Sequence, residues 1–320
     1  MKKILLTTTA LVMTAGAAAA EVSVSGHAEM GIAGGTGVET QFLTSVDVRF
    51  TMTGETDGGL TFGATVDLDD TVDMGLAGYD PIDNMNGQFA DYTVFVSGAF
   101  GTVTIGDTDG AMDWAMSDVG LGGTLGDDHT IHAGYNGNNM ADWGVAGFDG
   151  QILRYDHSIG DFGFALSAQM DDSGVNDAVL GLGATYSADL GGAELGLGFG
   201  YQSGVFGTED IWGVSADVTL SNGIRAIVNY SDLDAVGTHV GVGVAYSMDA
   251  LTITANYGVF DRDTAGVADD EGYALVANYD LGGGAAVQFG YGSSKIDDGS
   301  GLATQAPSTD TWSLGVAMSF

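Results

Sequence analysis

Cysteine is absent from the 320-residue chain, and proline occurs only twice, at Pro81 and Pro307. Without cysteine there is no disulfide framework and no thiol nucleophile, so an oxidising compartment offers this chain no covalent staple. Positive charge is nearly as scarce, with seven Lys and Arg against 43 Asp and Glu. No basic patch exists to neutralise phosphates, which excludes nucleic acid as a partner. Long hydrophobic runs are missing too. Beyond residue 20 nothing approaches the ~18 consecutive apolar residues of a spanning helix. The five histidines (His27, His129, His132, His157 and His239) are scattered. Asp127, Asp128, His129 and His132 stand close in sequence, but no Ser-His or Asp-His arrangement is placed convincingly at one end of the molecule, so an enzyme is not expected.

What is present points elsewhere. Hydrophobic residues make up 45% of the chain, which argues against the disorder that so acidic a composition would otherwise suggest. Residues 1–20 carry Lys2 and Lys3, then an apolar stretch, then Ala18, Ala19 and Ala20. This is the pattern of a secretory signal peptide cut before Glu21, leaving 21–320 as a single domain. Removing it leaves five basic residues against 43 acidic ones, a formal charge of −38. Glycine is abundant, at 54 residues, and much of it alternates within apolar segments such as 195–202 and 240–247. In a strand, such glycines mark bends or places where a loop packs close.

The last ten residues alternate strictly. Trp312, Leu314, Val316, Met318 and Phe320 fall on one face, and Thr311, Ser313, Gly315, Ala317 and Ser319 on the other. Ending on an aromatic within such a strand is expected of a barrel closing its last seam. Sixteen segments of this kind follow one another from 22–32 to 311–320, clustering near the ~9–11 residues of a tilted membrane-spanning strand. Their connections alternate tight Gly/Asp/Asn turns, such as 54–59, 159–161, 221–223 and 248–250, with longer loops at 33–41, 69–88, 107–150, 261–271 and 293–310. A soluble sandwich has no reason to sort its loops this way. The pattern predicts a sixteen-stranded antiparallel transmembrane β-barrel with short periplasmic turns and longer external loops. Tyr92, Tyr155, Tyr186, Tyr201, Tyr246, Tyr257, Tyr279 and Tyr291 sit near segment ends, where interfacial girdles form.

The blocks RFTMTGETDGGLTFGATVDL (49–68) and FVSGAFGTVTIGD (95–107) resemble the sixteen-stranded general porins of alphaproteobacteria, the Rhodobacter type. EVSVSGHAEMGI (21–32), YDLGGGA (279–285) and the terminal phenylalanine are similar as well. The resemblance implies a homotrimer of barrels in outer-membrane lipid, each passing small hydrophilic solutes and ions. It also implies a third external loop folded into the lumen and calcium at acidic clusters.

The connection 107–150 follows the fifth segment, where that loop belongs, and it has room for a further strand pair. Its first part carries Asp107, Asp109, Asp113, Asp118, Asp127 and Asp128 and no Lys or Arg. Folded inward, these carboxylates would line a constriction. Arg49, Arg154 and Arg225 lie within segments on the face assigned to water, since an arginine facing lipid at mid-depth costs ~2–4 kcal/mol. The family resemblance implies arginines facing the acidic loop across the pore. Here they are few, which tilts the expected selectivity towards cations. No cofactor is required. Calcium is a further expectation at Asp69, Asp70 and Asp73 and at Asp269, Asp270 and Glu271, because carboxylate oxygens suit that ion. The competing readings are a solute-selective channel and a structural or adhesive barrel with a blocked lumen.

Overall fold

A computed structural model describes residues 20–68, 91–126, 132–138, 143, 151–170, 175, 177–205, 209–263, 269–295 and 308–320. Sixteen antiparallel strands close into one barrel, each paired with its sequence neighbours and β1 with β16. The first eight are β1 (Glu21–Gly35), β2 (Val38–Glu55), β3 (Thr61–Leu68), β4 (Asp91–Gly98), β5 (Gly101–Gly106), β6 (Ile152–Ile159), β7 (Phe162–Gln169) and β8 (Val179–Asp189). The second eight are β9 (Ala193–Val205), β10 (Glu209–Leu220), β11 (Ile224–Leu233), β12 (Gly237–Met248), β13 (Leu251–Arg262), β14 (Asp270–Gly282), β15 (Ala285–Lys295) and β16 (Ser308–Ser319). Closure leaves no sheet edge, as a wall surrounded by lipid requires. Among the described residues no helix is long and apolar enough to cross a membrane.

Each of the sixteen expected segments is a strand. The seam runs in register from His27↔Ser319 to Gly35↔Thr311, so the alternation read at residues 311–320 does close the barrel. The main differences lie at the loop end. Several strands run further towards that end than the alternation suggests, and the expected loop 33–41 shrinks to a tight turn at Thr36 and Gly37. Glycines and polar residues blur the periodicity there, while the β1–β2 ladder simply continues. Among the described residues of 107–150, the one regular element is a short helix, α1 (Ala111–Ala115), not a strand pair.

Alternation fixes the two faces. On β12 the outward Val240, Val242, Val244 and Tyr246 are exposed, while inward Gly241, Gly243 and Ala245 are buried. Outward apolar residues suit hydrocarbon, and their β-branched side chains suit the pleat. Tyr155, Tyr186, Tyr246 and Tyr279 lie towards the turn end, and Tyr92, Tyr201, Tyr257 and Tyr291 towards the loop end, making two bands. In the upper band Tyr201 donates to Asp210 (2.6 Å) and Tyr257 to Glu271 (2.9 Å), anchoring the rings at a polar boundary. The buried apolar clusters lie between the inner wall and residues 111–126, 135 and 143, rather than at the centre of the barrel.

Candidate pore and its constriction

From β5 the chain turns into the lumen and follows the inner wall strand by strand. Ala111 N–H donates to Ser167 Oγ on β7 (2.9 Å), and Ser117 N–H to Ser215 Oγ on β10 (2.9 Å). Asn229 on β11 donates to the Ser117 carbonyl (3.3 Å), and Thr254 on β13 to that of Leu121 (2.6 Å). Gly126 N–H reaches Glu29 Oε2 on β1 (2.6 Å). Residues 110–126 thus form a belt from β7 round to β1. Residues 132–138 and Trp143 (the upper pass) lie above it, towards the loop end. His132 meets Asn256 on β13 (2.9 Å), Ala133 N–H meets Ser294 on β15 (3.0 Å), and Asn136 meets Ser231 on β11 (2.9 Å). Apart from Glu29, every wall partner in this series is a short Ser, Thr or Asn side chain, and together they satisfy belt backbone groups away from water.

Missing side chains make the trough in which the belt lies. A Cβ built on Gly183 would fall 2.9 Å from that of Ala115, and one on Gly243 2.7 Å from the Val119 carbonyl. On Gly198 it would overlap the Ala115 carbonyl oxygen. Apolar contacts then fasten the belt at three places. Met112, Met116 and Trp143 pack with Val179, Ile211, Leu233 and Phe260; Val119 and Leu121 with Ile227 and Ala245; and Leu125 with Ala33 and Leu43. The composition of the loop did not reveal these contacts. Their signal is an apolar residue on a face that should be polar, as with Ile227 between Arg225 and Asn229. Trp143 is wholly buried, edge-on to Phe260 at 4.9 Å. Trp143→Ala is expected to cost the upper pass about 3–5 kcal/mol of seating. Hydrogen exchange of the amides at 132–138 should rise while that of the barrel strands does not.

Among the described residues the belt leaves most of the lumenal face of β2–β6 uncovered, Leu43 on β2 excepted, and there the charge collects. Arg49 binds Asp67, its partner across β2 and β3, through Nε at 2.7 Å. Asp67 lies directly opposite Asp91, whose other charged neighbour is Asp107. Arg154 donates to the Asp109 carbonyl (2.9 Å) and to Asp156 (3.2 Å), with the Asp109 carboxylate 3.9 Å away. The structure therefore brings together Asp107, Asp109, Arg49 and Arg154 on this arc. Arg154 pins the start of the loop instead of facing it across the pore.

Asp113 and Asp118 lie apart from that arc, half-buried on the belt. Asp118 accepts the Gly120 N–H (2.8 Å). Burial pushes its carboxyl above the usual range, while the Gly120 amide, Tyr135 and Arg225 pull it back. Arg225, near the turn end of β11, is itself paired with Asp217. Asp127 and Asp128 lie outside the described residues, as do Asp69, Asp70 and Asp73. Asp270 is occupied by Arg262 (2.9 Å) and Glu271 by Lys295 (2.8 Å). Among the described residues no group of three or more His, Cys, Asp or Glu could hold a metal ion. Each of the five basic residues beyond residue 20 thus has a carboxylate partner. Such pairs add little stability where exposed. Their consequence is that no stretch of the described lumen is left with unopposed positive charge.

A family model described as Gram-negative porin matches residues 7–299. A porin of Rhodobacter capsulatus is 29% identical over 311 residues, covering 86% of this chain and 95% of that relative. Among solved structures, a porin refined at 1.8 Å resolution is similar with a TM-score of 0.68 and 25% identity, covering 94% of this chain and all of the other. A triple-mutant porin of Rhodopseudomonas blastica is similar in fold, with a TM-score of 0.63 and 20% identity over 93% of this chain and all of the other.

Proposed function

The chain belongs to the Gram-negative porin family, and from that membership we propose that it is a general diffusion pore preferring cations, narrowed by the belt at residues 107–126. As a member it is an outer-membrane channel protein and not an enzyme. The observation that carries the cation preference is the complete pairing of its basic residues. Carboxylates in excess of those pairs set the field in the lumen, concentrating cations and repelling anions at short range. The β2–β6 arc, left largely clear by the described residues of the belt, supports an open lumen, with Asp107 and Asp109 exposed on it. Small uncharged sugars should enter proteoliposomes without saturation. The cation preference should shrink as salt rises from about 0.1 M to about 1 M, because the Debye length falls from ~10 to ~3 Å. A preference indifferent to salt would defeat a mechanism based on fixed charge.

Export through residues 1–20, cleaved before Glu21, belongs to the same reading, and β1 beginning at Glu21 supports it. No cofactor enters it. A homotrimer completes it, supported by the strand lengths. β5, β6 and β7 have 6, 8 and 8 residues, short of the ~9–11 that span hydrocarbon, whereas β9–β16 have 10 to 13. A short arc suits neighbouring copies better than lipid. In mild detergent the expected mass is that of three chains, and a single-chain mass would remove the trimer.

A further inference from the structure

One residue of the upper pass is held from both sides. Gly134 N–H donates to Nδ1 of His132 (3.2 Å), and the Gly134 carbonyl accepts from Nε2 of His239 on β12 (2.9 Å). Because Nδ1 of His132 accepts, its ring proton sits on Nε2 and is donated to Asn256 Oδ1 (2.9 Å). That oxygen also accepts the Ala274 N–H (3.1 Å), which fixes its role. His239 is fully buried with its ring 4.5 Å from that of Phe260, and its Nδ1 has no hydrogen-bond partner among the described residues. The fit has no slack, since the backbones of Gly134 and Gly258 touch.

The surroundings favour neutral rings. His239 faces Arg262 on β13, whose Asp270 partner sits on β14, and faces His132 across the gripped residue. His132 packs against Gly272 of β14, Asn256 of β13 and the ring of Tyr135, and Tyr135 bonds to Asp118. Among the described residues no carboxylate touches either imidazole.

Building on the pore reading above, we propose that His132 and His239 are positioning residues that latch the constriction loop to the wall and release it in acid. A second proton on His132 would occupy Nδ1 and turn a donor towards the Gly134 N–H, so that bond is lost. A second proton on His239 would place a cation among Phe260, Arg262 and the other histidine. Burial pushes the His132 ring down to about 4, with the Asn256 bond acting the other way. A detached loop returns the ring to its ordinary value near 6.5, so the detached form binds more protons between the two. Attachment therefore weakens as pH falls from about 6.5 towards about 4. Leaving the wall, the upper pass can enter only the lumen, and the pore narrows.

An uncharged sugar separates this effect from titration of the lumenal carboxylates, which alters ion preference. Its influx into proteoliposomes should fall by about half or more between pH about 7 and about 4 and recover on return. His132→Asn keeps an acceptor at the Nδ1 position and His239→Gln keeps a donor at the Nε2 position, and neither titrates. The double variant should hold its influx flat across that range, and His239→Gln alone should show a smaller fall than the unmodified protein. A flat profile in the unmodified protein would overturn the latch, as would an undiminished fall in either variant. No influx at any pH would instead defeat the pore reading.

Discussion

Gly198→Leu is expected to lower single-channel conductance by roughly half or more, while Gly196→Ala on the same strand face leaves it unchanged. The two positions differ only in what lies over them. A Cβ on Gly196 would find ordinary contact, 3.7 Å from Asp217 Cβ, below the belt. A Cβ on Gly198 would overlap the Ala115 carbonyl and come within 2.6 Å of Ser215 Oγ, which itself holds the Ser117 amide. Overpacking of this kind costs about 1–3 kcal/mol, and the softer partner yields. Here the wall is the stiffer side, because Gly198 is held in two ladders, opposite Thr185 and Ser215. The belt must therefore move inward, taking α1 with it. A conductance within about a tenth of the parent's would mean that the belt does not set the cross-section.

Replacing Asp67, Asp91, Asp107 and Asp109 together by asparagine should reduce the cation-to-anion permeability ratio about tenfold or invert it at low salt. Asp67, Asp91, Asp107, Asp109 and Asp156 face two guanidiniums on the β2–β6 arc, with Asp47 two residues from Arg49 on the same face of β2, and the substitution leaves Arg49 and Arg154 with Asp47 and Asp156. Asparagine preserves volume and can still accept from Arg49, so the change is mainly one of charge. Zero-current potential under a salt gradient reads the outcome. An unchanged ratio would move the selectivity determinant off this arc, to the belt or to residues outside the described ones.

The barrel was legible because its signal is local. Alternation at residues 311–320 or 240–247 reports the two faces of a strand without reference to any partner. The sorting of turns such as Ser221–Gly223 from long loops reports the two ends. Charge pairing was not legible. Arg49 meets Asp67 only because β2 and β3 pair in one register, and Arg154 meets the Asp109 carbonyl only because the loop starts where β5 ends. Arg49, Arg154 and Arg225 are each committed to a carboxylate of the wall. The belt's course was hidden for the same reason. Gly183, Gly198 and Gly243 look like any strand glycine until a backbone is laid across them. Inward Ile227 and Phe260 look like lapses of alternation until Val119 and Trp143 cover them. In such positions the sequence of one segment is explained by another far away.

An acid-lined pore with no unopposed positive charge is tested most directly by the zero-current potential of the unmodified, purified protein in a planar bilayer under a potassium chloride gradient. Cations should carry most of the current, giving a potential of the cation-selective sign that decays as salt is raised. Conducting channels with no preference, or with the anion-selective sign, would contradict it.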